Sequence, residues 1–147
     1  MKQIYDRDYP VTSTLLIATS LVFVLMILSY GFQYSNSEAL YHFGAVHGYT
    51  IQALPEQFWR VFAAIFIHIG LEHFVVNMLT LYFIGRQIEA IFGSWKFLIL
   101  YLMSGAMGNL FVVYFSPNSL AAGASTALFG IFASVVVLRY ATRNYYL

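Results

Sequence analysis

The sequence predicts an all-α integral membrane protein, a polytopic bundle of four transmembrane helices, on three observations. Of the 147 residues, 61% are hydrophobic and 9% charged, with a mean hydropathy of +0.73, far too little polar surface for a soluble domain of this size. The charges are separated by long uncharged intervals. Within the longest of these, turn-forming residues fall where two spans need a connection. A soluble enzyme is thereby excluded. So are a nucleic-acid-binding domain and a disordered tail, the more so because seven Lys and Arg against six Asp and Glu leave a net charge of only +1. The absence of cysteine removes disulfide frameworks, thiolate metal sites and cysteine nucleophiles.

Charges are costly in the bilayer core, so the gaps between them locate the spans, and about 20 apolar residues cross about 30 Å. The first helix covers about residues 11–32, between Asp8 and Glu38. It is too long, and lacks the small-residue cleavage site, for a removed signal peptide. The second covers about 71–92, with Glu72 and His73 at its start and Arg86 and Glu89 near its end. Between Lys96 and Arg139 lie 42 residues without a formal charge, which is two spans, and Ser116-Pro117-Asn118-Ser119 marks the turn. The third helix is therefore about 94–115 and the fourth about 124–140. The connection from Gln33 to Gly70, with Trp59, Arg60 and Pro55, reads as an ordered loop at the interface. With four spans, Lys2, Arg7, Arg86, Lys96, Arg139 and Arg143 fall on one side and Arg60 alone on the other. This places a multi-pass protein in the cell membrane with its N-terminus in the cytoplasm. No internal repeat or linker divides residues 1–147, which form one domain.

A polar residue inside a span costs free energy unless it faces the bundle interior and finds a partner, so it is a functional candidate. His73 and Asn77 are four apart, one above the other on one face at the outer end of the second helix. Ser125 opens the fourth helix, also at the outer end, in Gly123-Ala124-Ser125-Thr126. Glycine permits a tight turn there, and the helix N-terminus offers unpaired N–H groups and a positive dipole end suited to a developing oxyanion. His73 and Asn77 at the same depth add donors, which assembles a nucleophile and an oxyanion hole for acyl transfer.

A packing explanation stands beside the catalytic one. Thr126, Gly130 and Ser134 make a small-xxx-small row of the kind helix interfaces in membranes favour, and Ser104, Gly105 and Gly108 make a packing face on the third helix. His73 alone reads as readily as a helix–helix hydrogen-bond donor. His42 and His47, five apart in the loop, read as ordinary histidines and not as a metal site. Glu89 reads as a structural acceptor or a partner of Arg86. No cofactor is implied, because neither a metal-ligand cluster nor a phosphate-cradling loop is present.

Taken in order, these residues resemble the rhomboid family of intramembrane serine proteases. The resemblance spans nearly the whole chain: Trp59-Arg60, then His68, His73 and Asn77 as His-x-x-x-x-His-x-x-x-Asn, then Gly85-x-x-x-Glu89-x-x-x-Gly93-Ser94, then Gly123-Ala124-Ser125. It implies Ser125 as nucleophile, and His73, Asn77 and the Ser125 backbone N–H as oxyanion stabilisers. It further implies structural roles for Trp59, Arg60, His68, Glu89, Gly93 and Gly123, transmembrane proteins as substrates, and a water-accessible cavity open to the outside. Two departures stand out. Thr126 replaces the glycine most members carry, a change that a helix start tolerates and that narrows the cavity beside the nucleophile. The family's core has six helices, with its general-base histidine on the sixth, whereas this chain stops at Leu147 after the fourth. The expectation is a protease fragment that is inactive until the missing C-terminal helices are supplied. The alternative is a non-catalytic pseudoprotease that binds transmembrane helices. A channel or transporter fragment is disfavoured, since no charged residue lies at mid-depth.

Overall fold

The computed structural model describes residues 5–143, so Lys2 lies outside the described residues. Helix α1 (Pro10–Tyr30) opens on a proline, whose fixed φ and missing N–H suit the first helical position, and is followed by a 3-10 turn at Gly31–Gln33. The connection is ordered throughout. It contains α2 (Ser37–Phe43), capped by the Asn36 side chain on the Ala39 N–H, a short strand β1 (Val46–His47), α3 (Gly48–Ala53), and α4 (Arg60–Ala63) between 3-10 turns at Pro55–Trp59 and Ala64–Phe66. The second span keeps the expected limits but is built in three parts: α5 (Leu71–Thr80), a π-helical turn (Leu81–Gly85) and α6 (Arg86–Phe92). Gly93, at φ +85°, makes the tight turn into α7 (Ser94–Phe115). After α7 comes a strand, β2 (Leu120–Ala121), and then α8 (Ser125–Arg143).

Among the described residues three helices are long and apolar enough to cross a membrane as single elements. The second span qualifies as a bent pair, with Pro55–Phe66 meeting Leu71–Phe92 at 76°. The protein is thus a helical, multi-pass membrane protein. Helix α8 runs three residues past the expected end at Tyr140, because an arginine at a helix end extends its stem along the helix and need not terminate it. The strand pair β1–β2 was not expected. It is antiparallel, with Val46 opposite Ala121 and His47 opposite Leu120, and it ties the first loop to the segment leading into α8.

The central core draws on all four spans. Leu15 of α1, Leu81 of the π turn, Tyr101 of α7 and Ile131 of α8 are buried together with Ile65 from the re-entering loop. Phe23 and Phe74 stack at 4.1 Å between ring centroids and fasten α1 to α5.

Among the described residues two charged side chains, Arg60 and Glu89, are buried, and each ties distant segments. Arg60 donates to Gln57 Oε1 at 2.9 Å and to the carbonyls of Tyr41 and Ala45, with its guanidinium 3.9 Å from the Tyr41 ring and 4.6 Å from Trp59. Trp59-Arg60 therefore closes the first loop on itself. Glu89 accepts from the Val11 and Thr12 N–H groups at 2.9 and 2.8 Å, and from the Thr12 and Ser94 hydroxyls at 2.7 Å each. Both α1 and α7 begin there, so one carboxylate caps two helix N-termini whose positive dipole ends converge on it. Glu89 is accordingly an acceptor and not the partner of Arg86, which pairs with Asp6 at 3.0 Å and donates to the Tyr82 hydroxyl at 2.9 Å.

Candidate active site

Ser125 stands at the first position of α8, exposed, at the end of a turn held from three directions. Gly123, at φ +121°, donates its N–H to the Ala64 carbonyl at 2.8 Å. The Ala124 N–H reaches His68 Nε2 at 3.3 Å. Behind them, β2 holds the approach to the turn. Glycine is required at 123 by its positive φ, a conformation that costs any side chain with a Cβ.

Ser125 and Asn77 come together around that glycine. A Cβ at position 123 would lie 3.9 Å from both the Asn77 Nδ2 and the Ser125 Oγ. The two residues also line one pocket of about 220 Å³ between α5 and α8, with Val76, Thr80, Leu128, Phe129 and Phe132. Asn77 is only 9% exposed and lines this pocket beside Ser125. His73, one turn nearer the start of α5, is exposed and does not line this pocket.

His68 is 1% exposed, edge-on to Phe74, and burial together with neighbouring His73 pulls its pKa down from 6.5 to about 4. Neutral imidazole can accept the Ala124 N–H on Nε2, and imidazolium cannot. Because the folded-state value lies below the unfolded one, this stabilisation is complete above pH 6.5 and is lost as pH falls through 4. Thermal unfolding in detergent should therefore show a loss, at most about 3 kcal/mol, between pH 6.5 and 4 that His68→Gln lacks. Parallel pH profiles for the two proteins would remove this role.

Thr126 does not narrow the pocket. Its side chain turns toward α7, where a Cβ at Gly108 would lie 2.5 Å from its Cγ2, and its hydroxyl faces the Gly105 carbonyl at 3.5 Å. The threonine fills a notch in the neighbouring helix, which leaves the Asn77 side of Ser125 to the pocket. His42 lies 3.0 Å from the Tyr30 hydroxyl and His47 2.9 Å from Thr50 Oγ1, and among the described residues no cluster could hold a metal ion. One supporting residue escaped the sequence reading. Asn109, buried in α7, donates to the Val61 carbonyl at 2.7 Å and holds α4 under the site. It was detectable as the lone amide within the third span. The Ala64 carbonyl carried no such signal.

The arrangement matches known proteins at the level of sequence. The family model for the Rhomboid domain matches residues 55–147. Rhomboid protease GluP of Bacillus subtilis (strain 168) is 32% identical over 145 residues, 98% of this chain and 28% of that protein. Putative rhomboid protease YdcA of the same organism is 28% identical over 131 residues, 88% of this chain and 63% of that protein. Inactive RHOMBOID-like protein 8 of Arabidopsis thaliana is 32% identical over 103 residues, 69% of this chain and 28% of that protein. The chain thus spans under two thirds of the length of each relative, but the matched region carries the turn at Gly123, the helix that begins at Ser125 and the face bearing Asn77, and the chain belongs to the rhomboid family.

Proposed function

We infer that this chain is the part of an intramembrane serine endopeptidase that carries the nucleophile and the oxyanion site. The observation that carries the reading is the shared pocket of Ser125 and Asn77 at the start of α8. Ser125 Oγ attacks the scissile carbonyl carbon of a transmembrane substrate. The carbonyl oxygen becomes an oxyanion that faces the Asn77 amide and the backbone N–H of Ser125 at the helix start, with His73 one turn further out on α5 as a donor from the rim. Collapse of that intermediate expels the amine, which takes up the proton lost by the serine, and water then hydrolyses the acyl-enzyme.

A serine hydroxyl needs an adjacent base for this, and among the described residues no side chain hydrogen-bonds to Ser125 Oγ. The base is a histidine on a further helix packed against α8. Two features favour added helices there. Helix α8 is less covered than α1 or α7, 17% of its apolar window being buried against 33% for each of those. Open grooves also flank it on both sides, the pocket toward α5 and one of about 470 Å³ toward α7. In this reading the N-terminus is cytoplasmic. Arg7, Arg86, Lys96, Arg139 and Arg143 lie at the end where α1 and α7 start and α6 and α8 finish.

The test is cleavage of a transmembrane substrate in liposomes by the isolated chain and by the chain co-expressed with a two-helix segment carrying the histidine. Activity only in the complex supports the reading. Full activity from the isolated chain, abolished by His73→Ala, would make His73 the base and overturn the assignment. The inactive relative favours a second reading, a pseudoprotease that binds transmembrane helices without cutting them. That reading holds if the complex binds substrate but neither cleaves it nor takes up a fluorophosphonate at Ser125.

A further inference from the structure

Each residue flanking Ser125 is anchored to a different element. Gly123 is tied to the Ala64 carbonyl, Ala124 to His68, and Thr126 to α7. The first two anchors are single hydrogen bonds; the third is steric. At Gly108 the position of a Cβ lies 2.5 Å from Thr126 Cγ2, 2.6 Å from its Cβ and 3.0 Å from its Oγ1, so the threonine side chain occupies the volume a side chain at 108 would need. Four residues along each helix the relation is reversed, and Ser104 of α7 fills the place of a side chain at Gly130 of α8. Knob and notch alternate between the two helices, so sliding or rotating α8 drives one of the two knobs into backbone. Thr126 is β-branched and stiff at χ1, which suits it to transmit this constraint. The Ser125 side chain has no comparable hold of its own.

We propose that Thr126, seated in the Gly108 notch, is a positioning residue for Ser125, setting the height and rotation at which the nucleophile and its backbone N–H meet Asn77. The proposal rests on the protease reading for its effect on rate. Its geometric half stands apart from that reading.

The test uses the assembled protein in liposomes, with the number of reactive sites counted by fluorophosphonate labelling. Gly108→Ala should lower kcat per labelled site about 10- to 100-fold with KM near its original value, the cost of displacing a reacting group by about 1 Å. Thr126→Gly, which only opens space and so leaves packing free of clash, should also lower it. The exchange Gly108→Ala with Thr126→Gly returns the knob to the opposite helix and should restore most of the rate. A second readout needs no activity. The chain has no native cysteine, so Val76→Cys with Phe129→Cys, from the two walls of the Ser125 pocket, reports the α5–α8 distance by oxidative cross-linking. Gly108→Ala should change that rate about fivefold or more, and the exchange should reverse the change.

Variants that lose labelled sites while each remaining site works at full rate would show a merely structural role and overturn the proposal. So would a cross-linking rate indifferent to position 108. If the unaltered assembled protein never cleaves substrate, the protease reading fails, while the cross-linking arm still decides the positioning.

Discussion

On the proposed serine mechanism, Ser125→Ala is expected to reduce cleavage by the assembled protein to background, a fall of about 10⁶ in kcat if the serine acts with a base as one unit. The loss should be in kcat and not KM, because the hydroxyl takes part only when the bond is made. Asn77→Ala is expected to cost roughly 10- to 1000-fold, the range for one oxyanion donor. Its low exposure leaves that donor less screened by solvent than a surface amide would be. His73→Ala should cost less than Asn77→Ala, because the exposed imidazole shares its donor capacity with solvent. The check is single-turnover cleavage of a transmembrane peptide. Activity that survives Ser125→Ala would remove the serine mechanism altogether, and an Asn77→Ala enzyme at full rate would remove the amide from the oxyanion site.

The second large effect is on stability. Glu89→Ala is expected to destabilise the bundle by about 3–5 kcal/mol, because it strands four donors that the carboxylate satisfies at the N-termini of α1 and α7. In an apolar bundle no water replaces it cheaply. Glu89→Gln keeps an acceptor oxygen and loses the charge that opposes the two helix dipoles, so it should fall between the wild type and alanine. Thermal unfolding in detergent ranks the three. An alanine variant within about 1 kcal/mol of wild type would mean that the carboxylate is not the joint between these helices.

How far the sequence foretold this structure depends on what each residue answers to. The limits of the second and third spans were legible because charges and the turn at Ser116–Ser119 are local and their cost in lipid is large. Ser125 and Asn77 were legible as polar residues at one depth, since topology alone carries them there. What escaped was decided by partners distant in sequence. The β1–β2 ladder pairs Val46 with Ala121 and His47 with Leu120, Glu89 bonds to Val11 across 78 positions, and Thr126 turns toward α7 because Gly108 leaves a space. None of these partners marks itself locally. His68 lay between: its spacing was visible in the motif, but its acceptor role on Ala124 required the folded turn.

The π turn at Leu81–Gly85 works as a phase shifter. In an uninterrupted α-helix each residue advances the face by about 100°, so the direction of Asn77 would be set once that of Glu89 was set, twelve residues further on. A wider turn between them releases that dependence. The inner half of the span can aim Glu89 at the starts of α1 and α7 while the outer half aims Asn77 at Ser125, each choice made for its own neighbours. The same turn therefore keeps the two halves in phase. Were Leu81–Gly85 to close to ordinary α-helix with every residue kept, the outer half would swing by roughly 100°, leaving a helix that looks sound along its whole length with its amide turned away from the serine.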